Sequence, residues 1–303
     1  MKVVRLRGSA EGRLGRLSGD EVHLFPEGCS LVEAITADES AAVATVPAAS
    51  EFAAPTHGLV SLRDCVGFLD HIRNARRARG VTDPLADVWH QRPAFYFANP
   101  ASVRSATDPI EIPAGCERFD YEFEVGAVLA RGGRDLTVDE ASACIAGYVL
   151  YCDWSARDIQ NEERLMQIGQ GKAKDAAISL GPWVLAGEEA VSHRVADGFD
   201  FDVSIQVNGE TVHAGPFRGM DWSFEELVAY ASLGSELHPG DIVASGTLPW
   251  GCLMEHSGRQ GFRGWLQPGD VVRLDGGPLG VIESSITAPP PMPAWRRSAA
   301  SSL

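Results

Sequence analysis

The chain has 303 residues, 45% of them hydrophobic, and a formal net charge of -15. That length and apolar share can bury one large core beside a smaller companion. The negative charge repels phosphate backbones and anionic membranes, which excludes a nucleic-acid or membrane-surface protein and points to a small-molecule ligand.

Six cysteines, Cys29, Cys65, Cys116, Cys144, Cys152 and Cys252, stand without a C-x-x-C pair, which fits neither a disulfide scaffold nor a zinc site. The opening "MKVVRLRG" is broken by charge, and no run approaches the ~20 apolar residues of a membrane span. These features are those of a cytoplasmic protein with reduced thiols.

In chain order, "KVVRLRG" reads as a short strand and is followed by an Ala-rich stretch from Ala34 to Ala54. In "SLRDCVGFLDHIRNARRARG", Leu62, Cys65, Val66, Leu69 and Ile72 recur at helical spacing, so the piece is expected to be largely helical. Its Arg73, Arg76, Arg77 and Arg79 read as a solvated face, or else as a patch for an anionic substrate or a partner subunit. From Pro93 the texture turns to strands: "AFYFANP", "FDYEFEVGAVLA" and "FDVSIQVNGETVHAG", the last with a hairpin signal at Asn208-Gly209. Helices are expected at "TVDEASACIAGYVLY", which opens on a capping box of Thr137 and Glu140, and at "SFEELVAYASL", which Ser223 caps. Two "PGD" turns, at Pro239 and Pro268, each launch an apolar strand. The expected organisation is a small N-terminal α+β domain over residues 1–90, a mainly β catalytic domain over 91–288 and a mobile Pro-rich tail over 289–303.

Two pieces carry chemistry. In "DYEFE", Asp120, Glu122 and Glu124 share one face of a strand, because side chains two apart point the same way. On its own this is also what a solvated strand edge looks like. Asp153, after the apolar "IAGYVLYC", adds a further carboxylate; with no His or Cys pair at ligand spacing, the set describes a hard-cation site. Only Lys2, Lys172 and Lys174 stand against 23 arginines, and two of the three lie together in "GQGKAKDAA". A compact ammonium that can stabilise an oxyanion is not replaceable by a guanidinium.

Taken together, "DYEFEVGAVLARGGRDL", "GYVLYCDWSARDIQ", "KDAAISLGPWV" and "GDIVASGTLPWGC" resemble the fumarylacetoacetate hydrolase family from about Pro93 to Glu283, and "DCVGFLDHIRNA" resembles its lid segment. The resemblance implies a mixed α+β, mainly β fold, a β-sandwich roll, in a homodimer that holds one divalent cation. Mg²⁺ is foremost, with Mn²⁺ or Ca²⁺ as alternatives. The implied substrate is a small anionic 1,3-dicarbonyl or 2-oxo acid. The implied chemistry is carbon-carbon hydrolysis, decarboxylation, hydration or tautomerisation through an enolate. Carried onto this chain, the metal ligands are Glu122, Glu124 and Asp153. Arg157 and Gln160 face the substrate, with a salt bridge from Arg157 to Glu163 as the structural alternative. Lys172 stabilises the oxyanion, with Lys174 as the alternative. Thr247 contacts substrate, and His71 activates water with Glu255 as its orienting acid.

The chain also departs from the family pattern. Asn74 stands where the lid glutamate is usual, Cys152 where asparagine is usual, and Ala176, Ala177 and Ile178 replace aromatic and hydroxyl residues. These changes imply a lost orienter for His71 and a larger, drier pocket. They favour decarboxylation or tautomerisation in a repurposed enzyme of specialised metabolism, with a catalytically silent metal-binding dimer as the alternative.

Overall fold

The computed structural model describes residues 1–8, 12–37, 41–48, 52–55 and 59–293. Part of the Ala-rich stretch and residues 294–303 of the expected tail lie outside the described residues.

The main element is a 12-stranded sheet. Its centre holds Phe123–Leu129 between Ile145–Asp153 and Ile242–Ala244. All seven residues of Phe123–Leu129 are buried, which is why the segment reads as a nearly continuous apolar run around Glu124. Ile145–Asp153 pairs onward with Ile178–Ala186, which pairs with the N-terminal Lys2–Leu6. The N-terminal and catalytic strands thus share one hydrogen-bonded sheet across residue 90.

A second sheet of six strands is built around the hairpin Gly198–Val207 and Glu210–Arg218, with Asn208 at φ 55° and Gly209 at φ 78°. Positive φ at both positions is what a tight hairpin turn requires and what Asn-Gly supplies. The sheets pack face to face through Tyr148, Leu150, Phe199, Ile205, Leu274 and Ile282. The result is a mainly β molecule with some helix, as the resemblance implies. Both PGD turns launch their strands, at Ile242 and Val271, and both capping boxes form, at Thr137–Glu140 and Ser223–Glu226. Among the described residues no helix is long and apolar enough to cross a membrane. The six cysteines are free thiols.

Two elements differ from their expected form. The helix that opens at Thr137 ends at Cys144, and the apolar residues after it form the strand Ile145–Asp153, buried in the sheet from Gly147 onward. Leu62–Cys65 is a strand, and only Leu69–Ala78 is helix. The strand lies between Ile242–Ala244 and Phe95–Ala98, and all four of its residues are buried. Burial on both faces erased the alternation that marks a strand and left a spacing that mimics a helix. The misreading matters because it concealed Asp64.

The chain after Ala244 turns back through Gly246, at φ 78°, where a Cβ would lie 2.2 Å from the Cys65 carbonyl oxygen. Gly246→Ala should therefore lose more than the ~1–2 kcal/mol that left-handed backbone costs an L-residue, read as a lower denaturant midpoint at unchanged slope. An unchanged midpoint would show that this turn relaxes freely.

Candidate active site

Four buried carboxylates meet at one end of the large sheet. Glu122 and Glu124 come from the edge and start of the central strand, Asp153 from the end of its neighbour, and Asp64 from the strand Leu62–Cys65. One oxygen each of Asp64, Glu124 and Asp153 lies within 4.8 Å of the others. Tyr96 Oη sits 2.7 Å from Asp153 Oδ2 and 3.0 Å from Asp64 Oδ2, with one proton to donate to either. The Gly246 amide donates to Glu124 Oε2 at 3.1 Å, and the Thr247 hydroxyl donates to Glu124 Oε1 at 3.4 Å.

Two cations face the cluster. Lys174 Nζ contacts Glu122 Oε2 and Asp153 Oδ2 and donates to Ser155 Oγ at 2.6 Å. Arg157 donates from Nη2 to Glu122 Oε1 at 2.6 Å and from Nε to Asp120 Oδ2 at 2.8 Å. Arg157 and Gln160, three apart on the helix Arg157–Leu165, both point inward, with Nη1 of the first 3.3 Å from Oε1 of the second.

Burial and electrostatics act differently on each carboxyl. Burial works against the charge on Glu122, but Arg157 and Lys174 outweigh it and hold its pKa well below the ordinary range. Burial pushes Glu124 well up, reinforced by Asp64 and Asp153, and pushes Asp153 well up against the pull of Lys174, with Asp64 and Glu122 adding to the rise. Burial likewise pushes Asp64 up to about 6, with Lys174 pulling against it.

A divalent cation fits the cluster formed by Asp64, Glu124 and Asp153. The donors are carboxylate oxygens alone, as a hard ion prefers, and buried Asp153 Oδ1 has no hydrogen-bond partner. Glu122 borders this trio, both of its oxygens engaged by Arg157 and Lys174.

Several expectations change on folding. Lys172 has a side chain 70% exposed and pairs with Asp175, whereas that of Lys174 is 2% exposed and lies among the carboxylates. Lys174 therefore takes the position expected of Lys172. The alternative bridge from Arg157 to Glu163 is absent; Glu163 instead accepts backbone N–H groups of Gly171, Lys172 and Ala173. Asn74 does not leave His71 without an orienter. Glu255 Oε2 lies 3.1 Å from His71 Nδ1, while Asn74 Nδ2 donates to Glu255 Oε1 at 3.0 Å. The other ring nitrogen, Nε2, lies 3.9 Å from Glu122 Oε1. Ile178 packs into the sheet core with Leu180 and Val103 and adds nothing to the pocket. Asp64 and Tyr96 were not among the expected site residues.

The cluster opens into a cavity of about 370 Å³, lined by His71, Gln160, Thr247 and, toward its mouth, Arg76, Arg79 and Arg164. Part of the arginine run, Arg76 and Arg79, thus lines the cavity, with Arg79 still exposed to solvent. Burial and the neighbouring Arg79 and Arg157 bring Arg164 down to about 10, and burial with Arg157 and Arg76 lowers Arg79. Mutual repulsion of this kind marks a site that favours anions.

The fumarylacetoacetate hydrolase C-terminal domain model matches residues 62–287. The chain belongs to the fumarylacetoacetate hydrolase family. It is similar to a 2,4-didehydro-3-deoxy-L-rhamnonate hydrolase from Sphingomonas sp., 27% identical over 92% of this chain and 90% of that protein. It is also similar to a human mitochondrial oxaloacetate tautomerase, FAHD2A, 28% identical over 73% of this chain and 65% of that one. Among solved structures, the fumarylacetoacetate hydrolase of Exiguobacterium antarcticum superposes with a TM-score of 0.72 at 25% identity, covering 95% of this chain and 99% of that one. The chain is an enzyme of this family.

Raised carboxyl pKa values have a consequence for pH. With Asp64, Glu124 and Asp153 above their unfolded values, the folded state binds more protons at these groups, so their contribution to stability is full below about pH 4, and that of Asp64 is lost as pH rises through about 6. A divalent cation replaces those protons. The rise in Tm on adding Mg²⁺ or Mn²⁺ should therefore be small at pH 5, grow through pH 6 and shrink in Asp153→Asn. A cation effect independent of pH would place the ion elsewhere.

Proposed function

We propose that the chain is a divalent-metal-dependent hydrolase that cleaves a carbon-carbon bond in a small anionic 1,3-dicarbonyl or 2-oxo acid, with Mg²⁺ or Mn²⁺ as the cation. The observation that carries this reading is the series Asn74, Glu255, His71 beside the carboxylate cluster. Isomerisation needs no attacking water, so a buried acid held by an amide and aimed at a histidine favours hydrolysis.

Asp64, Glu124 and Asp153 would hold the divalent cation, which when bound would supply Lewis acidity to stabilise an enolate. His71 takes the proton of the attacking water, and Glu255 stabilises the imidazolium and fixes the ring. Asn74 fixes Glu255 in turn. Lys174, charged and compact, holds negative charge that develops on the substrate oxygen, and Arg157 and Gln160 orient its polar end. Arg79 and Arg164 draw the anionic part of the substrate into the cavity. The name of the Sphingomonas relative, which aligns with most of the chain, agrees with this reading.

Keto-enol isomerisation is the second reading. It is favoured by the place of Lys174 at the carboxylates and by the name of the human relative. The test is a panel of acylpyruvates, 2-keto-3-deoxy sugar acids and oxaloacetate, assayed with Mg²⁺ and Mn²⁺ and with chelator. On the best substrate of the panel, His71→Ala should lower kcat by about 10²–10⁴, the usual worth of general acid-base catalysis. Lys174→Met should also be severely impaired, and Lys172→Ala should be close to wild type. A near-normal His71→Ala beside a dead Lys174→Met would overturn hydrolysis in favour of isomerisation.

A further inference from the structure

His71 and Glu255 have a third neighbour that the proposed reaction does not use. Cys252 Sγ donates to Glu255 Oε2 at 3.5 Å, and a donor atom of each of His71, Cys252 and Glu255 lies within 4.8 Å of the other two. All three residues are buried. Cys252 and Glu255 are three apart, at the cap and in the first turn of the short helix Leu253–His256. His71 reaches them from the helix Leu69–Ala78. Spacing along the chain spoke against a zinc site, but folding brings one nitrogen, one sulfur and one oxygen donor together.

We infer that His71, Cys252 and Glu255 form a second metal site, specific for a borderline-soft divalent ion such as Zn²⁺ and distinct from the all-oxygen cluster. Donor chemistry separates the two sites: thiolate and imidazole select Zn²⁺, whereas carboxylates alone suit Mg²⁺ and Mn²⁺. Geometry agrees. Ligand atoms around a tetrahedral Zn²⁺ with bonds of ~2.0–2.3 Å stand about 3.5 Å apart. The spacings here are 3.1 Å from Nδ1 to Oε2 and 3.5 Å from Sγ to Oε2.

A second, independent observation is that buried His71 Nδ1 makes no hydrogen bond of good geometry, although Glu255 Oε2 is 3.1 Å away. The nitrogen faces the acid and the thiol off the line a hydrogen bond needs. Behind the site, Asn74 Nδ2 donates to Glu255 Oε1 and Arg77 Nη1 donates to Asn74 Oδ1 at 3.2 Å, the kind of outer support that steadies a metal ligand. On binding, Zn²⁺ takes the place of the Cys252 thiol proton, which leaves to solvent, and no electrons change hands. Occupation ties up His71 Nδ1 and Glu255 together, so Zn²⁺ at this site stops water activation. That inhibitory role rests on the hydrolase reading, but the site itself does not.

The test uses the full chain saturated with Mg²⁺ and titrated with Co²⁺ as a spectroscopic stand-in for Zn²⁺, with no substrate present. Wild type should develop a thiolate-to-cobalt charge-transfer band that is absent in Cys252→Ser and in Cys252→Ala. Equilibrium dialysis in excess Mg²⁺ should show one Zn²⁺ per chain lost in the same variants. In the hydrolysis assay both variants should keep wild-type activity with Mg²⁺. Their half-inhibiting Zn²⁺ concentration should rise by more than the ~10–100-fold that loss of a supporting partner costs. No band in wild type, or a band that survives in both variants, overturns the site. A band lost in both variants beside unchanged zinc inhibition overturns the inhibitory role alone.

Discussion

The structure turns on the cost of burying carboxylates. Asp64, Glu122, Glu124 and Asp153 converge where the sheet excludes water, and like charges so placed cannot all stay ionised without cations among them. Lys174 and Arg157 supply part of that charge: Arg157 pairs with Glu122 and Asp120, and Lys174 divides its charge between Asp153 and Glu122, so among the four only Glu122 pairs with both. The other three carboxyls remain under-compensated, which is why their pKa values rise while that of Glu122 falls. A divalent ion is the natural remainder of this balance. The rigid elements around the cluster follow from the same need: Tyr96 across Asp64 and Asp153, the Gly246 turn against Glu124, and the helix Arg157–Leu165 that presents Arg157.

The neighbouring histidine is governed by different physics. His71 sits between Glu122 on one side and Glu255 on the other, so each ring nitrogen has its own acid. Asn74 is neutral and cannot orient the ring as a carboxylate would. It holds the far oxygen of Glu255 instead, leaving the near one toward His71 and Cys252. An amide in the lid position thus moves the acid one step along the chain of contacts without removing it. The thiol beside it adds affinity for softer ions to a place where a hydroxyl would have supplied a comparable hydrogen bond.

Sequence legibility followed local physics. Capping boxes, the Asn208-Gly209 hairpin and the PGD turns depend on a few adjacent residues and were readable directly. Arg157 and Gln160 were readable as one helical face because three-residue spacing survives folding. Asp64 was not, because a strand buried on both faces loses its alternation, and the apolar residues that follow it at three and four suggested a helix. The family resemblance singled out Lys172, but the turn Lys172–Lys174 is a 3₁₀ helix that folds Lys172 onto Asp175 and turns Lys174 inward. His71 and Glu255 were paired by the family resemblance, but Tyr96 and the place of Cys252 beside them depend on contacts between distant segments, for which no spacing rule exists.

The central claim is that Asp64, Glu124 and Asp153 hold a divalent cation against the charge of the cluster. Anomalous scattering from a crystal grown with Mn²⁺ tests it most directly. The account predicts one strong peak bonded to oxygens of these three side chains at about 2.0–2.6 Å. A peak elsewhere, or three carboxylates turned apart with no ion between them, would contradict it.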